Sequence, residues 1–377
     1  MSGSPRRALA LIWVALVLVA CRGGRGNEVV VAALVARTGA RAPWGEDLFR
    51  GMELAVEHVN ARGGVGTRRV RFVTVDHGSR EDHAGDVVAR MIQRESPVAV
   101  FGEVATVATE RAAIATQRRG VPFIVTGATA RDLTRTGDFV FRSALSDTDQ
   151  AAAMARYARQ VLQRRHAAIA YRRNSILHLN VADAFARAFR AVGGDVVLRE
   201  TFADDDTEMV ELAAAVRRSN ADVLYVPAYA NDAARVALAV RHGHVTAQVL
   251  GTDGWIAPEV RRIAAEAAVG VLVTDAFAPD APRAAVEQFV QSFRLRYRAA
   301  PGTFAAIGYD AMRWVLAVAS RVPLLEPRSL RDALAGSRFE DGVTGPLAVD
   351  QSRVLARPVN VLRVEREGFS FVAAANP

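Results

Sequence analysis

Lysine is absent from the 377-residue chain, so all 48 of its basic residues are arginines. This absence excludes Schiff-base chemistry on a lysine amine and phosphate binding by a P-loop lysine. The arginines are scattered among 40 acidic residues, so the formal net charge of +8 does not indicate a basic surface with interleaved aromatic residues. We therefore expect no nucleic-acid partner.

Cysteine is nearly absent as well, because Cys21 is the only one in the chain. Residues 1–20 contain two arginines followed by an apolar run, a pattern that is typical of a secretory signal peptide and short for a transmembrane span. The tetrapeptide Leu18-Val19-Ala20-Cys21 matches the bacterial lipobox. We predict a signal peptide over residues 1–20, lipidation of Cys21, and a Gly/Arg-rich tether over residues 21–27.

The alternative is a plain signal peptide, or a membrane anchor, with an incidental cysteine. It is less favoured because the sole cysteine of the chain falls at the one position that the lipobox requires. With Cys21 lipidated, no thiol remains for a disulfide, for nucleophilic catalysis or for metal ligation.

Short catalytic and metal-binding motifs are also missing: Gly-x-Ser-x-Gly, His-Glu-x-x-His and Gly-Lys-Ser/Thr do not occur. His242 and His244 could ligate a metal, but they fall at a predicted helix end, where histidine commonly meets the carbonyl dipole. Residues 204–206 are three aspartates that we interpret as a solvated turn before a helix. We expect no metal, no cofactor and no enzymatic activity.

Strand and helix patterns alternate along most of the chain, and this alternation predicts parallel sheets covered by helices. Apolar residues at helical spacing, such as Val107 and Ile114, predict a helix over residues 105–118. Residues 146–149, Ser-Asp-Thr-Asp, predict a capped helix over residues 150–165, after which the alternating pattern begins again. The fold class is therefore α/β, with two doubly wound parallel-sheet lobes.

Two neighbouring strand ends in the first lobe carry small residues and a hydroxyl group. A predicted strand over residues 98–101 leads to Thr106, and a second over residues 121–125 leads to Thr129. Ligands bind outside the carboxyl ends of parallel strands, where loops and helix N-termini supply free N–H groups. This edge could be a ligand site or two ordinary loops with capping threonines.

A series of short motifs resembles the branched-chain amino-acid (Leu/Ile/Val) substrate-binding proteins of ABC transporters, which have the type I periplasmic-binding-protein fold. The motifs occur in order along the chain and include Thr38-Gly39, Trp44-Gly45, Gly63-Gly64-Val65-Gly66, Gly251-Thr252-Asp253-Gly254-Trp255, Tyr309-Asp310-Ala311 and Gly342-Val343-Thr344-Gly345. The resemblance implies a hinge that the chain crosses three times, near residues 143–147, 275–279 and 350–353. The resemblance thus implies two discontinuous lobes: an N-terminal lobe of residues 28–143 plus 278–350 and a C-terminal lobe of residues 144–277 plus 351–377.

The resemblance also implies roles for polar residues in a cleft between the lobes. Thr106 and Thr129 would hold the α-carboxylate of an amino acid, whereas the carbonyl of Gly127 and the carboxylate of Asp253 would hold its α-ammonium. Asp253 could instead be only a residue of an Asp-Gly turn. Aromatic side chains would contact the ligand side chain or pack within the protein: Trp44, Tyr229 and Phe304.

Residues 171–181 depart from the pattern of this family. The family usually has a Tyr-Gly pair here, and its place is taken by Ile176, Leu177 or His178. The ligand could therefore be larger, more apolar, or acidic if Arg172 or Arg173 points inward; the alternative is that both arginines are solvated.

The function implied by the resemblance is that of an extracytoplasmic, periplasmic lipoprotein. As a monomer anchored to a membrane by its lipid, it would capture an amino acid or a related small polar solute and deliver it to an inner-membrane ABC permease. A ligand sensor with the same fold, signalling to a membrane receptor or regulator, is the alternative. An extracytoplasmic hydrolase has no positive support in the sequence.

Overall fold

The computed structural model describes residues 28–203 and 206–376. The predicted signal peptide, Cys21 and the tether lie outside the described residues, as do two of the three aspartates at residues 204–206. Within these two ranges, none of the helices combines the length and the apolar character that crossing a bilayer demands.

A five-stranded parallel sheet, in the order β2-β1-β3-β4-β5, forms the centre of the N-terminal lobe. Its strands are β1 (Glu28–Val35), β2 (Arg69–Asp76), β3 (Ala99–Gly102), β4 (Phe123–Val125) and β5 (Val140–Arg142), and the intervening helices are α1 (Ala42–Ala61), α2 (Ala84–Glu95) and α3 (Thr106–Gln117). The strands are short and almost wholly apolar because helices cover both faces of the sheet. The carboxyl ends of β3 and β4 therefore lie side by side.

The second lobe is built on a seven-stranded sheet in the order β15-β14-β10-β9-β8-β6-β7. Its parallel strands are β6 (His166–Arg172), β7 (Asp195–Phe202), β8 (Val223–Val226), β9 (Gln248–Gly251) and β10 (Leu272–Asp275), and its helices are α4 (Asp147–Arg156), α5 (Ile176–Ala191), α6 (Asp206–Arg218), α7 (Ala230–His242) and α8 (Pro258–Ala264). The predicted α/β class with two doubly wound lobes is confirmed.

The chain returns to the first lobe and then leaves it again. After β10 come α9 (Ala284–Tyr297), α10 (Thr303–Ala319), α11 (Pro327–Leu334) and a small antiparallel sheet of β11 (Arg338–Phe339), β12 (Leu347–Val349) and β13 (Leu355–Ala356). Helix α10 packs along α1 of the first lobe. The last two strands, β14 (Val359–Glu365) and β15 (Gly368–Ala375), join the larger sheet antiparallel to β10.

The helix predicted over residues 105–118 is confirmed as α3, but the large apolar residues that indicate it do not lie on its buried face. Val107 is 46% exposed and Ile114 is 38% exposed. The buried face consists of alanines and threonines, which let α3 lie close against α2. The hydroxyl groups of Thr109 and Thr116 donate to the carbonyls of Ala105 and Ala112 (2.8 and 3.0 Å), so these side chains bury no unpaired polar atom.

The capped helix after β5 begins earlier and ends earlier than predicted. The Ser146 hydroxyl accepts the backbone N–H of Asp149 (3.1 Å), which confirms the cap, but the helix starts at Asp147 rather than at residue 150. Helix α4 continues as one wider turn over Tyr157–Val161, and Gln163 then adopts a positive φ of 57° that ends the helical path. The predicted extension to residue 165 is therefore wrong.

A buried polar network fastens the segments that join the two lobes. The Arg357 guanidinium donates to the carbonyl and hydroxyl of Ser143, which follows β5, and to the hydroxyl of Thr344 (2.8 Å). The carboxylate of Asp310 accepts the Thr344 N–H, the Thr344 hydroxyl and the N–H of Val343 (2.6–2.8 Å). We refer to Ser143, Asp310, Thr344 and Arg357 as the hinge network.

We propose the lobe boundaries from the sheet to which each strand belongs. Val354 still bridges Arg142 of β5, and β13 still pairs with β12, whereas β14 belongs to the larger sheet. We therefore propose a third crossing at Arg357 and Pro358, a few residues beyond the position implied by the sequence motifs.

Candidate functional site

Two loops at the carboxyl edge of the first sheet are bound tightly to each other. The N–H of Thr126 donates to the carbonyl of Gly102 (3.0 Å), and that of Ala128 donates to the carbonyl of Glu103 (2.9 Å). A Cβ atom on Gly127 would lie 2.8 Å from Cα of Val104, so only glycine fits at this close approach. The three residues predicted to bind at this edge, Thr106, Gly127 and Thr129, thus lie on adjoining loops.

A buried carboxylate that the sequence analysis missed lies beside the N-terminus of α3. Glu103 is fully buried, and its Oε2 accepts the N–H of Ala105 (2.5 Å), the residue that caps α3. Its Oε1 lies 3.1 Å from Nε2 of the buried His77. A carboxyl group of the protein itself therefore already lies at this helix end, next to the exposed Thr106.

Two loops of the second lobe also pack together, and they carry Asp253 and Tyr229. The indole N–H of Trp255, which is fully buried, donates to the carbonyl of Val226 at the end of β8 (2.9 Å). A Cβ atom on Gly254 would lie 2.1 Å from the carbonyl oxygen of Ala228, so the turn after β9 lies directly against the residues that precede Tyr229.

The start of α4 connects the two halves of the site. The buried Gln150 donates from Nε2 to Oδ2 of Asp253 (3.2 Å), and the Thr129 hydroxyl lies near enough to Asp147 to favour the ionised form of its carboxyl. Burial, with the Asp253 charge adding to it, raises the pKa of Asp147 to about 7. The side chain of Asp253 is accessible to solvent from the cleft. Protein atoms surround its carboxyl on the other sides, and this partial burial raises its pKa as well.

Aromatic and apolar groups cover the second-lobe wall of this site. The ring of Tyr229, itself well exposed, lies 4.9 Å from the ring of the buried His178. Burial lowers the pKa of His178, so the imidazole is neutral at pH 7. Ile176 is 77% exposed and begins α5, immediately after the β6 loop. At the place where the resemblance implies a Tyr-Gly pair, this chain presents the aliphatic side chain of Ile176 and the buried His178.

The solvated alternative is wrong for Arg172, whose guanidinium forms two hydrogen bonds of 2.6 Å with the buried carboxylate of Asp232. Arg173 remains largely exposed to solvent, where it pairs with Glu208 (3.0 Å). Arg172 is paired with its aspartate, so an acidic ligand would have to compete with that carboxylate.

Trp44 and Phe304 lie at the margins of the site. Trp44 is half-exposed in the first turn of α1, beyond the carboxyl end of β1. Phe304 is partly buried against the main core at the start of α10. No hydrogen bond or ring contact joins either side chain to the other five candidate residues in the described part of the chain. The structure thus brings Thr106, Gly127 and Thr129 together, links them to Asp253 and Tyr229, and leaves these two aromatics apart.

A profile of the periplasmic binding protein family matches residues 28–368. The chain belongs to this family. A Leu/Ile/Val-binding protein of Escherichia coli is 24% identical over 326 residues, covering 86% of this chain and 87% of the relative. An amino acid binding protein of Pseudomonas aeruginosa is 26% identical over 250 residues, covering 66% of this chain and 67% of the relative.

Solved structures of periplasmic binding proteins agree with this assignment. A putative branched-chain amino acid ABC transporter protein from Rhodospirillum rubrum has a TM-score of 0.83 at 25% identity, covering 92% of this chain and all of the other. A leucine binding protein from Thermotoga maritima has a TM-score of 0.74 at 26% identity, covering 93% of this chain and 99% of the other. The predicted family and the type I periplasmic-binding-protein fold are confirmed, and these homologues are transporter binding proteins.

Several residues of the candidate site were not identified from the sequence: Glu103, Asp147, Gln150 and His77. Asp147 carried a signal, because it lies within the first crossing predicted by the motifs and heads a capped helix. The sequence contains no signal for Gln150 or Glu103, because the residues that they contact, Asp253 and His77, are distant from them in the chain.

Proposed function

We propose that this protein captures an amino acid, branched-chain or related, in the cleft between its lobes and delivers it to an ABC importer. One arrangement carries the proposal: Asp253 of the second lobe and Thr129 of the first are joined through Gln150 and Asp147 of α4. An ammonium group bound there gains anionic partners that offset the loss of its hydration. Its apolar part meets the exposed side chains of Tyr229 and Ile176.

Hinge closure is the motion that follows from this arrangement. The residues that would grip the ligand come from both lobes, and the connections between the lobes are a few short segments fastened by the hinge network. Rotation about such segments closes periplasmic binding proteins around small solutes. We propose that the importer recognises the closed form through faces of both lobes, and that the protein acts as a monomer.

Asp253→Asn tests the capture site. We expect the affinity of the full-length protein for its amino-acid ligand to fall between about 10-fold and 100-fold, because a charge-assisted hydrogen bond is replaced by a neutral one. The ligand is first identified by thermal shift against free amino acids in mild detergent, since a solute that binds only the native state raises the melting temperature. Calorimetry then compares the variants.

Asp86→Asn is the matched control for that experiment. It makes the same chemical change at an exposed position in the first turn of α2. Its affinity should equal that of the parent protein. Equal affinities for Asp253→Asn and the parent, or a melting temperature unmoved by every amino acid and analogue, would refute capture at this site.

We also propose that the protein is extracytoplasmic and held at a membrane by lipid on Cys21. The support is the lipobox at residues 18–21 and membership of a family of periplasmic proteins. A Cys21→Ser variant should be released from the membrane fraction into the soluble extracytoplasmic fraction, because acyl chains supply most of the membrane affinity. An unchanged membrane fraction, with unchanged mobility of the mature protein, would contradict lipidation; Ser4→Ala, an equally small change before the apolar run, is the control.

A further inference from the structure

The edge of the first sheet that points away from the cleft is rich in arginine. Because helices α1, α2 and α3 connect parallel strands, each of them ends at the edge where the next strand begins. The carboxyl ends of these strands lie at the opposite edge, beside the candidate site. Arginines therefore gather where α1 and α3 end and β2 begins: Arg62, Arg68, Arg69, Arg118 and Arg119. We refer to Arg68, Arg69, Arg118 and Arg119 as the arginine edge.

Acidic side chains nearby do not neutralise the arginine edge. The acids at the same end of the sheet are already paired with other arginines: Glu28 with Arg71 (3.1 Å), Glu95 with Arg71 and Arg94 (2.9 and 2.7 Å), and Asp138 with Arg331 (3.5 Å). Arg62 is left out of the arginine edge because it lines a surface cavity together with Asp341. Within residues 28–203 and 206–376, the arginines of this edge form no ion pair, and all but the half-buried Arg68 are well exposed.

Arginines at helix ends also have an ordinary structural role. The carbonyl groups at a helix C-terminus carry partial negative charge, which a nearby cation offsets. The Arg119 guanidinium donates to the carbonyl of Ala115 (3.3 Å), and the second lobe has a comparable exposed pair, Arg217 and Arg218, at the end of α6. Helix dipoles alone therefore account for an arginine pair in either lobe, and they require no partner.

The proposed lipid anchor distinguishes the first lobe from the second. Strand β1 begins at Glu28 and lies between β2 and β3, so the tether joins the chain in the middle of this edge. Even fully extended, residues 21–27 span at most about 25 Å, so the edge stays close to any bilayer that holds Cys21. The tether itself adds Arg22 and Arg25 and no acidic residue. The corresponding edge of the second lobe lies on the far side of the cleft.

We propose that the arginine edge binds the headgroups of anionic phospholipids and holds the first lobe against the bilayer surface. This inference rests on the proposed lipid anchor at Cys21, which keeps the edge near the headgroups. Anionic lipids attract arginine side chains within about one Debye length, roughly 10 Å, and the short tether allows this approach. Because the cleft lies at the opposite edge of the sheet, lipid binding leaves it open to solvent.

The test measures how close the arginine edge comes to lipid headgroups in the full-length, lipidated protein. Acylation occupies the only native thiol, so a Gln93→Cys substitution at an exposed position in the last turn of α2 accepts a single fluorescent dye. The protein is reconstituted into vesicles of phosphatidylcholine, with or without about 30% phosphatidylglycerol, that contain a headgroup-labelled acceptor lipid. We expect energy transfer to rise about twofold with phosphatidylglycerol and to lose this rise in about 1 M NaCl, where the Debye length is only about 3 Å.

An Arg118→Gln/Arg119→Gln double variant shows whether the attraction originates at the arginine edge. It should lose most of the rise, because each arginine beside an anionic surface contributes about a fivefold preference for it. The matched control is Arg217→Gln/Arg218→Gln, which makes the same change at the end of α6, where Arg217 likewise donates to a backbone carbonyl, that of Gly243 (3.1 Å). This control should retain the full rise.

The outcomes separate this inference from the proposed anchor. A dye at Ala191→Cys, the exposed last residue of α5 in the second lobe, should show no rise. Equal transfer in both kinds of vesicle, a rise that survives high salt, an equal rise at Ala191→Cys, or an undiminished rise in Arg118→Gln/Arg119→Gln overturns the inference and leaves the anchor standing. Flotation with phosphatidylcholine vesicles tests the anchor alone, and a parent protein that does not float with them overturns the anchor and the inference together.

Discussion

An Asp310→Ala substitution should lower the free energy of unfolding by about 3–5 kcal/mol, because removing one partner of a buried charged network leaves the other charge uncompensated. Asp310 is completely buried, and its carboxylate accepts three hydrogen bonds from Val343 and Thr344. The remaining charge is the guanidinium of Arg357, whose pKa burial lowers to about 10. Burial likewise raises the pKa of Asp310 despite those bonds, so neither ion is well solvated alone.

Urea unfolding followed by circular dichroism measures this effect, with the midpoint and the slope fitted separately. Asp332→Ala is the control, since Asp332 is an exposed partner of Arg331 (3.1 Å) and such surface pairs contribute about 0–1 kcal/mol. Asp310→Asn, which retains hydrogen-bond acceptors without the charge, should fall between the two. A loss below about 1 kcal/mol in Asp310→Ala at an unchanged slope would show that the hinge network does not stabilise the fold.

The alternation of apolar and helical patterns predicted most of the architecture because each signal is local. A buried parallel strand needs only a few consecutive apolar residues, as in β3 and β8, and such runs are visible in the sequence. The cap at Ser146 is equally local, since it involves residues three apart. These features depend on neighbours in the chain and not on how distant segments meet.

The site was predicted only in part because its interactions are distant in sequence. Gln150 contacts a carboxylate 103 residues away, and Arg172 contacts one 60 residues away. Nothing in the pattern around Arg172 separates a buried ion pair from a solvated arginine. Motif resemblance could transfer roles to Thr129 and Asp253, but it could not reveal that Gln150 donates to the carboxylate of Asp253.

The pattern of apolar residues did not identify the buried face of helix α3. A helical wheel assigns the large apolar residues Val107 and Ile114 to the core, yet the helix buries its alanines and threonines. Close packing against α2 favours small side chains, and the threonine hydroxyls donate hydrogen bonds to backbone carbonyls of the same helix. Apolar size alone therefore does not determine which face of a helix is buried. Val107, exposed one residue after Thr106, instead adds apolar surface near the proposed cleft.

A buried carboxyl at the end of β10 gives the protein a characteristic dependence on pH. Asp275 is buried at the end of β10, where the Thr303 hydroxyl donates to it (2.5 Å) and so does the N–H of Ala276 (2.6 Å). Burial outweighs these bonds and, with the charge of Asp253 adding to it, raises the pKa of Asp275 from 3.8 to about 7. The folded protein therefore binds a proton at Asp275 between these two pH values, whereas the unfolded chain has already released it.

Asp275→Asn should consequently stabilise the ligand-free protein by up to about 4 kcal/mol at pH 8, since each pKa unit corresponds to about 1.36 kcal/mol. The stability that the protonated Asp275 confers is fully present below pH 3.8 and is lost as pH rises through 7, so the advantage of the variant should grow over that window and level off above it.

Subtracting the parent's unfolding free energy from the variant's at each pH removes the opposing contributions of His58 and His178, whose pKa values burial lowers. Urea titrations at intervals between pH 4 and 8 measure the difference, with Asp86→Asn as the control that should show no slope. A difference that is constant across the window, or one that shrinks as pH rises, would contradict an unpaired buried carboxyl at this end of the cleft.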